Sequence, residues 1–329
     1  MNLGRGTVAG YARVRTADAA GIAEAARLIR DGGLVAFPTE TVYGLGADAT
    51  NAAAVARLYA AKGRPSFNPL IAHVADAEAA MREGTFSSQA RKLAARFWPG
   101  PLTLVVPVAE TSRICDLARA GLSSIGLRVP AHPTAHALLA KVQRPVAAPS
   151  ANRSGHVSPV SPEHVLEDLG DKIDLVLDGG PSNVGIESTI VACLNERPRL
   201  LRPGGIAREQ IEDVLGAKVV VIYGRAEGGP IAPGMLHSHY APRAALRLEA
   251  TALEPGEAGL DFGGRFAPGE NVLDLSARGD TVEAAANLYS YLRRLDASGA
   301  QTIAVAPMPA RGLGEAIRDR LKRAAAPTG

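Results

Sequence analysis

Segments with a helical period alternate with short apolar segments from Ile22 to Leu215, and this alternation constrains the fold most strongly. Ile22, Ala26 and Ile29 share one face of a predicted helix, and the apolar segment Leu34 to Phe37 follows directly. Later apolar segments, bounded by Gly and Pro, are predicted to be further strands. Such alternation is typical of an α/β domain built in layers around a sheet.

The pattern changes between Tyr223 and Pro242, where Gly, Pro, His and small residues replace the periodic segments. This segment is too long for an ordinary connection, so it is predicted to be a linker or a functional loop. A second α/β unit follows, and its helix Thr281 to Leu295 should pack against a small sheet through a periodic apolar face, formed by Val282, Ala285, Leu288, Leu292 and Leu295. The predicted domains are therefore residues 1–222, a linker loop at 223–243, and residues 244–329.

The charge balance argues against an extended nucleic-acid surface. The chain has 36 Lys and Arg against 33 Asp and Glu, a net charge of +3, so any basic site must be local. Aromatic residues make up only 4%, which disfavours a stacking platform for single-stranded RNA. Cys115 and Cys193 lack disulfide or metal spacing and are expected to be buried thiols. Residues 1–20 lack an apolar signal core and no run could span a bilayer, so we expect a cytoplasmic location and no membrane contact.

Polar clusters follow several predicted strands, which is where open α/β sheets gather ligands. The first, Pro38 to Gly46, is rich in Thr and Gly and could line a small polar pocket, although such a segment alone is more typical of a strand-to-helix turn. Gly44, Gly46 and Ala49 imitate a dinucleotide fingerprint. The acidic residue that such a fingerprint requires further along the chain is missing, so we reject that interpretation.

Two further clusters contain cations. Lys62 and Arg64 end a predicted helix, where they either offset the helix dipole or bind a triphosphate. Arg128 alternates with apolar residues on a predicted strand and needs an anion, which a structural carboxylate or a substrate carboxylate could supply. His73 on its own would be interpreted as a core histidine rather than a ligand.

The remaining clusters offer hydroxyl, amide and guanidinium donors, at Ser150 and Asn152 with Ser158 nearby, in Gly185 to Val191, and in Leu200 to Gly204. Phosphate-loop, HExxH and GxSxG signatures are absent from the sequence, so the common ATPase, zinc-protease and hydrolase interpretations lack support. His237 and His239 have the spacing of a metal pair but no local Cys or carboxylate partner, and a zinc site is not predicted there.

Taken in this order, the clusters closely resemble the threonylcarbamoyl-AMP synthase family in its long form. The most specific pieces are PTETVYGLG, the KxR at Lys62 and Arg64 with NPL after it, the SxN at Ser150 and Asn152, and GIESTI. The match runs from Ile22 to Ile206, resumes around 232–242 and reaches Asp319-Arg320-Leu321. The resemblance implies an α/β fold with a twisted mixed-sheet YrdC-like domain, a deep basic cavity, and a second, smaller Rossmann-like α/β domain.

The resemblance also implies roles for individual residues. L-threonine would be bound by Thr41, His73, Arg128, Ala148 and Ser188, with Arg128 pairing its carboxylate. ATP would be held by Lys62, Arg64, Asn68, Ser124, Ser150, Asn152, Ser158, Arg202, His239 and Tyr240. Within that set, catalysis is expected from Lys62, Arg64, Ser150 and Asn152.

The implied reaction joins L-threonine, bicarbonate or CO2, and ATP into threonylcarbamoyl-AMP and pyrophosphate. Mg2+ is expected through the ATP phosphates rather than through protein side chains. The product would pass to a tRNA threonylcarbamoyl transferase complex, without tRNA binding in this step. A non-catalytic double-stranded RNA-binding or regulatory module is the alternative, which the small net charge disfavours. A carbamoyl-transfer protein of hydrogenase maturation would need cysteine-rich zinc modules, which two lone cysteines exclude.

Overall fold

The computed structural model describes residues 12–222 and 239–326, which form two sheets with helices packed against them. In the described part the larger sheet has 11 strands: β1 (Arg13–Thr16), β2 (Val35–Phe37), β3 (Gly44–Asp48), β4 (Ile71–His73), β5 (Leu102–Pro107), β6 (Ser124–Arg128), β7 (Val146–Ala147), β8 (Leu175–Asp178), β9 (Thr189–Ala192), β10 (Arg199–Arg202) and β11 (Val220–Val221). Its helices are α1 (Ala19–Arg30), α2 (Ala52–Lys62), α3 (Ala77–Glu83), α4 (Ser88–Phe97), α5 (Asp116–Arg119), α6 (Pro133–Val142), α7 (Pro162–Leu169) and α8 (Arg208–Leu215).

The larger sheet is mixed, with the order β1-β8-β2-β3-β7-β4-β6-β5-β9-β10-β11. Strand β4 lies at its centre, parallel to β6 and antiparallel to β7. The register pairs His73 of β4 with Arg128 of β6, and Ala72 of β4 with Ala147 of β7. Residues far apart in the chain therefore meet at one end of the central strands.

The helix boundaries follow from local chemistry. Asn51 caps α2 by accepting from the amides of Ala53 and Ala54, and Ser87 caps α4 by accepting from the amide of Ala90. Helix α2 ends at Gly63, whose φ of 60° is left-handed and suits a residue without Cβ. The chain changes direction at Gly63, between the two cations Lys62 and Arg64.

Part of the first polar cluster is a strand rather than a turn. The sequence predicted a Thr- and Gly-rich turn from Pro38 to Gly46, whereas Gly44 already begins β3, which pairs antiparallel with β2. The close packing of the sheet explains why glycine occurs in this strand, because a Cβ on Gly46 would lie only 2.9 Å from the Phe37 ring. The turn is therefore confined to residues 38–43.

The smaller sheet is wholly parallel in the described residues, with the order β12-β15-β13-β14. Its elements are β12 (Ala245–Arg247), β13 (Ala258–Asp261), β14 (Val272–Asp274), α9 (Thr281–Ala297), β15 (Thr302–Val305) and α10 (Leu313–Ala324). Helix α9 joins β14 to β15, and in the described chain the connections from β12 to β13 and from β13 to β14 contain no helix. An all-parallel sheet with helices packed on it fits the expected Rossmann-like unit. One prediction was wrong: Val282 is 61% exposed, and the packed face of α9 begins only at Ala284 and Ala285. Periodicity assigns a helix face, but not how far along the helix the partner surface extends.

The core of the smaller unit includes a few residues of the larger one. Val157, Val160 and Ile186 of the larger unit belong to the same buried cluster as Leu288 and Tyr289 of α9. The domain boundaries stay a prediction, and residues 223–238 of the proposed linker lie outside the described residues. Within the described ranges, none of the helices has the length and hydropathy needed to cross a bilayer.

The two cysteines are free thiols. Cys193 is buried as expected, and burial raises the pKa of its thiol to about 12. Cys115 is only half-buried, because it precedes the short helix α5 near the surface. Neither thiol lines the cavity described next.

Candidate active site

A small cavity of about 50 Å³ lies where the central strands end, beneath the segment that carries His239 and Tyr240. It brings together three guanidinium groups, those of Arg64, Arg128 and Arg202. Ten of the predicted site residues line it: Thr41, Arg64, His73, Arg128, Ala148, Ser150, Ser188, Arg202, His239 and Tyr240. Residues predicted to bind L-threonine and residues predicted to bind ATP therefore line the same cavity.

Arg128 is fixed by the first polar cluster. Its Nη2 donates to Glu40 Oε1 at 2.6 Å and its Nη1 donates to Thr41 Oγ1 at 2.9 Å. Its Nε donates to the Gly100 carbonyl at 3.4 Å. A guanidinium has five N–H groups, so one N–H on each terminal nitrogen remains for a ligand within the described part of the chain. Of the two anions that the sequence left open, the structural carboxylate is present and is Glu40.

The hydroxyl of Thr41 has a defined orientation. Thr39 Oγ1 donates to the Val42 carbonyl at 2.7 Å, so the 2.8 Å contact between the two threonine hydroxyls is donated by Thr41. Thr41 Oγ1 then accepts from Arg128. The PTETVYGLG segment thus holds the guanidinium of Arg128 from two sides.

His73 is buried beside Arg128, and its ring meets Phe37 edge-on with 6.4 Å between centroids. Burial first, and then the charge of Arg128, lowers the pKa of His73 to about 3, so the imidazole is neutral at physiological pH. Its Nδ1 is buried and has no hydrogen-bond partner within the described ranges. His73 is therefore buried as a core histidine would be, but its Nδ1 lacks a partner among these residues.

Lys62 does not cap its own helix. Its Nζ donates to the carbonyls of Ser150 and Asn152, and its own carbonyl accepts from the amide of Ser154. Burial, together with neighbouring Arg64, lowers the pKa of the Lys62 ammonium well below its usual value. Lys62 therefore stabilises the loop after β7, although it does not itself line the cavity.

Arg64 is only 8% exposed, although a cation at a helix end usually lies at the surface. Its Nε and Nη2 donate to the carbonyls of Asn68 at 3.3 Å and Pro69 at 3.1 Å. Burial lowers the pKa of its guanidinium to about 10, which leaves it charged at neutral pH. Within the described residues it forms an ion pair with no carboxylate.

Asn68 and Ser124 lie at the other end of the central strands. The amide Nδ2 and Oδ1 of Asn68 are both buried without hydrogen-bond partners in the described part of the chain. Extending the β4–β6 register back by two residues brings Ser124 beside Pro69, next to Asn68. Neither residue lines the cavity as described above, and their nucleotide roles stay predictions.

The loop after β7 carries Ala148, Ser150 and Asn152. The Ala148 amide donates to the Ile71 carbonyl at 3.0 Å, which holds the loop against β4. Asn152 Nδ2 donates to the carbonyls of Arg153 and His156, while its Oδ1 is buried and unpartnered among the described residues. Such unpartnered polar atoms are rare in folded proteins, and a bound water, ion or ligand would supply the missing partner.

Arg202 ends β10 and points to Ser188. Its Nε and Nη2 donate to the Ser188 carbonyl at 3.2 and 2.9 Å, and Nη2 also reaches Ser188 Oγ at 3.2 Å. Ser188 Oγ contacts Thr103 Oγ1 at 2.8 Å. Like Arg64, Arg202 has no ion-pair partner in the described ranges, and burial lowers its pKa.

His239 and Tyr240, at the end of the predicted linker, cover the cavity and contact the smaller unit. Their rings pack edge-on with 4.1 Å between centroids, and the His239 amide donates to the Arg323 carbonyl at 3.2 Å. Burial first, and then Arg64, lowers the pKa of His239 to about 3. Its Nδ1 has no hydrogen-bond partner in the described chain. His237, which the sequence analysis gave no role, lies outside the described residues.

Sequence reasoning missed the carboxylate of Glu187, which lines the cavity within the GIESTI segment. It accepts from Ser158 Oγ at 2.6 Å and from Arg320 Nε at 2.7 Å. The hydroxyl of Ser158 is thereby committed to Glu187. A charged residue inside an apolar segment was the available signal, since a buried carboxylate needs partners.

Comparisons with known proteins show what the chain is similar to. The Sua5/YciO/YrdC family model, described as telomere recombination, matches residues 27–204, and the model of the threonylcarbamoyl-AMP synthase C-terminal domain matches residues 206–326. The threonylcarbamoyl-AMP synthase of Bacillus subtilis (strain 168) is 42% identical over 323 residues, covering 92% of each chain. That of Pyrococcus abyssi (strain GE5 / Orsay) is 42% identical over 316 residues, covering 91% of this chain and 92% of the relative.

A solved structure extends the match to the fold. The crystal structure of P. abyssi Sua5 complexed with L-threonine has a TM-score of 0.86 at 39% identity, and the match covers 95% of this chain and 97% of that one. The resemblance and the mixed α/β fold class expected from the sequence are confirmed. The chain therefore belongs to the threonylcarbamoyl-AMP synthase family.

Proposed function

We propose that this chain is an L-threonylcarbamoyladenylate synthase, which forms threonylcarbamoyl-AMP and pyrophosphate from L-threonine, bicarbonate or CO2, and ATP, for N6-threonylcarbamoyladenosine modification of tRNA. The observation that carries the proposal is the shared cavity with the buried guanidinium groups of Arg64, Arg128 and Arg202. Arg64 and Arg202 lack carboxylate partners among the described residues. Buried cations without counterions are costly, and anionic ligands would remove that cost.

L-threonine is assigned to the Arg128 side of the cavity. The two unassigned N–H groups of Arg128 match the fork of an amino-acid carboxylate. Thr41, neutral His73, Ala148 and Ser188 surround that position and present hydroxyl, imidazole and methyl groups. Support comes from the P. abyssi relative, whose structure holds L-threonine.

ATP is assigned to the side formed by Arg64 and Arg202. Guanidinium groups suit phosphate oxygens, and the unpartnered amides of Asn68 and Asn152 suit a nucleotide. His239 and Tyr240 would then cover the nucleotide, as expected of a loop that reaches over the cavity. Lys62, Arg64, Ser150 and Asn152 remain the proposed catalytic residues. In the absence of nucleotide, Lys62 holds the loop that carries Ser150 and Asn152.

We further propose that Mg2+ arrives with the ATP phosphates. Glu187 lines the cavity and Glu40 holds Arg128 beside it, and each of these carboxylates is already engaged by an arginine. Phosphate oxygens are ligands that Mg2+ favours, and the ion would neutralise charge on the leaving pyrophosphate. The protein residues bind and orient the phosphates around it.

The chemistry needs positioning and charge stabilisation. The threonine amine combines with CO2 to give an N-carboxylate, with loss of a proton. A carboxylate oxygen of that group then bonds to the α-phosphorus while the bond to pyrophosphate breaks. Cations around the phosphates stabilise the charge that develops, and a covered cavity keeps water from the labile N-carboxylate.

We propose a cytoplasmic location, and transfer of the product to a tRNA threonylcarbamoyl transferase complex, with no tRNA needed in this step. The decisive assay measures pyrophosphate release with ATP, threonine and labelled bicarbonate, followed by mass analysis of the nucleotide product. Release should require both threonine and bicarbonate, and the label should appear in threonylcarbamoyl-AMP. Release that ignores threonine, together with salt-sensitive RNA binding, would support the RNA-binding alternative instead.

A further inference from the structure

The carboxylate of Glu187 is held from the smaller unit although it lines the cavity of the larger one. Tyr289 OH lies 2.8 Å from its Oε2 and 3.0 Å from its Oε1. Arg320 Nε donates to Oε2 at 2.7 Å, and Ser158 donates to Oε1. Four contacts from three residues therefore fix this carboxylate, and two of those residues come from α9 and α10.

Arg320 is itself immobilised. It is 1% exposed, its Nη1 donates to Asp319, and its Nη2 donates to the Pro203 carbonyl at 2.9 Å. Its guanidinium carbon lies 5.1 Å from the ring centroid of Tyr240, a cation–π arrangement. Arg320 thus touches the residue after Arg202, the carboxylate of Glu187 and the aromatic cover of the cavity.

Arg202 is the cation that Glu187 could otherwise bind. Both side chains line the same cavity, and Arg202 donates to the backbone and hydroxyl of Ser188, the residue next to Glu187. Burial alone would raise the pKa of Glu187, but Arg320 first and Arg202 second lower it to about 2. The charge of Arg202 therefore acts on Glu187. Within the described residues, however, Glu187 forms its ion pair with Arg320 and not with Arg202.

We propose that Arg320 is a positioning residue that sequesters Glu187 and thereby keeps Arg202 free for a phosphate of the nucleotide. The inference rests on the proposed function. Without the cation at residue 320, the buried carboxylate would turn to the nearest remaining cation, because a buried charge must be paired. Arg202 would then be neutralised, and the nucleotide would lose a charge-assisted donor, while Arg128 on the threonine side would keep its contacts with Glu40 and Thr41.

The test is a double-mutant cycle that removes the charges of Arg320 and Glu187 in the full chain. KM and kcat for pyrophosphate release are measured for each variant. Arg320→Gln should raise KM for ATP by roughly tenfold, the size of one lost charge-assisted contact, and KM for threonine should change by less than about twofold. Adding Glu187→Gln should bring KM for ATP back to within about threefold of wild type, because no carboxylate remains to occupy Arg202. Arg320→Lys should give an intermediate KM. Arg318→Gln, on the outer side of α10, is the matched control.

Three outcomes separate the possibilities. An unchanged KM for ATP in Arg320→Gln, or a double variant no better than the single one, overturns the inference, since a merely structural arginine would not be rescued by removing its partner. If Arg320→Gln does not fold, Arg320→Lys carries the cycle, and failure of Glu187→Gln to lower its KM for ATP refutes the inference equally. If the wild type itself releases no threonine-dependent pyrophosphate, the proposed function fails instead.

Discussion

Acid should destabilise this protein through its buried neutral histidines, and His73 provides the sharpest case. The unfolded imidazole titrates near pH 6.5, whereas burial and Arg128 lower the folded pKa to about 3. Between these values the unfolded state binds a proton that the folded state does not, so stability falls as pH falls. From pH 7 to pH 5 this histidine alone should remove about 2 kcal/mol from the free energy of unfolding.

His73→Gln isolates that contribution, because glutamine cannot be protonated in this range. Urea unfolding at pH 7 and pH 5 gives the loss of stability for each protein, and any cost of the substitution that is independent of pH cancels. The wild type should lose about 2 kcal/mol more than the variant. His136→Gln, at an exposed position on α6, is the control for removal of an imidazole. Equal losses in wild type and His73→Gln would refute the assignment of His73 as a neutral, buried group.

Three further predictions follow from the cavity. Arg64→Met should lower pyrophosphate release by about a hundredfold or more with an unchanged circular dichroism spectrum; near-normal turnover would contradict its phosphate role. The pKa of Glu187 in the folded protein is about 2, so the stability that this carboxylate contributes is present above pH 4.5 and is lost as the pH falls below it. Between pH 6 and pH 3 the free energy of unfolding of the wild type should fall by about 2 kcal/mol more than that of Glu187→Gln. Parallel curves of stability against pH for the two proteins would argue against the ion pair. In Gly204→Ala the new Cβ would lie 2.3 Å from the Glu187 carbonyl oxygen and 2.5 Å from the Ser188 carbonyl carbon. Thermal unfolding should show a loss of about 1–3 kcal/mol, and unchanged stability would mean that this backbone contact relaxes freely.

Much of the fold and of the cavity could be predicted because local signals carry them. The apolar segments around β4 and β6 predicted strands, and the polar residues after them met at one end of the sheet because those strands are parallel. Asn and Ser caps and the glycine after α2 marked helix ends through local hydrogen bonding. Order along the chain, together with the family resemblance, then assigned the clusters to one site.

The missing parts depend on contacts between distant residues. The sequence left the partner of Arg128 open, and only the fold brings Glu40 to it across 88 positions of the chain. Tyr289 and Arg320 lie more than a hundred positions from Glu187, and no local pattern indicates that they bind its carboxylate. The burial of Arg64 was likewise hidden, because a cation at a helix end is usually exposed.

A crystal structure of this chain with L-threonine and a non-hydrolysable ATP analogue tests the central claim most directly. The threonine carboxylate should pair with the guanidinium of Arg128, and the phosphates should contact Arg64 and Arg202 within the same cavity. Nucleotide phosphates bound away from both of these arginines, or threonine bound in a separate hollow, would contradict the account.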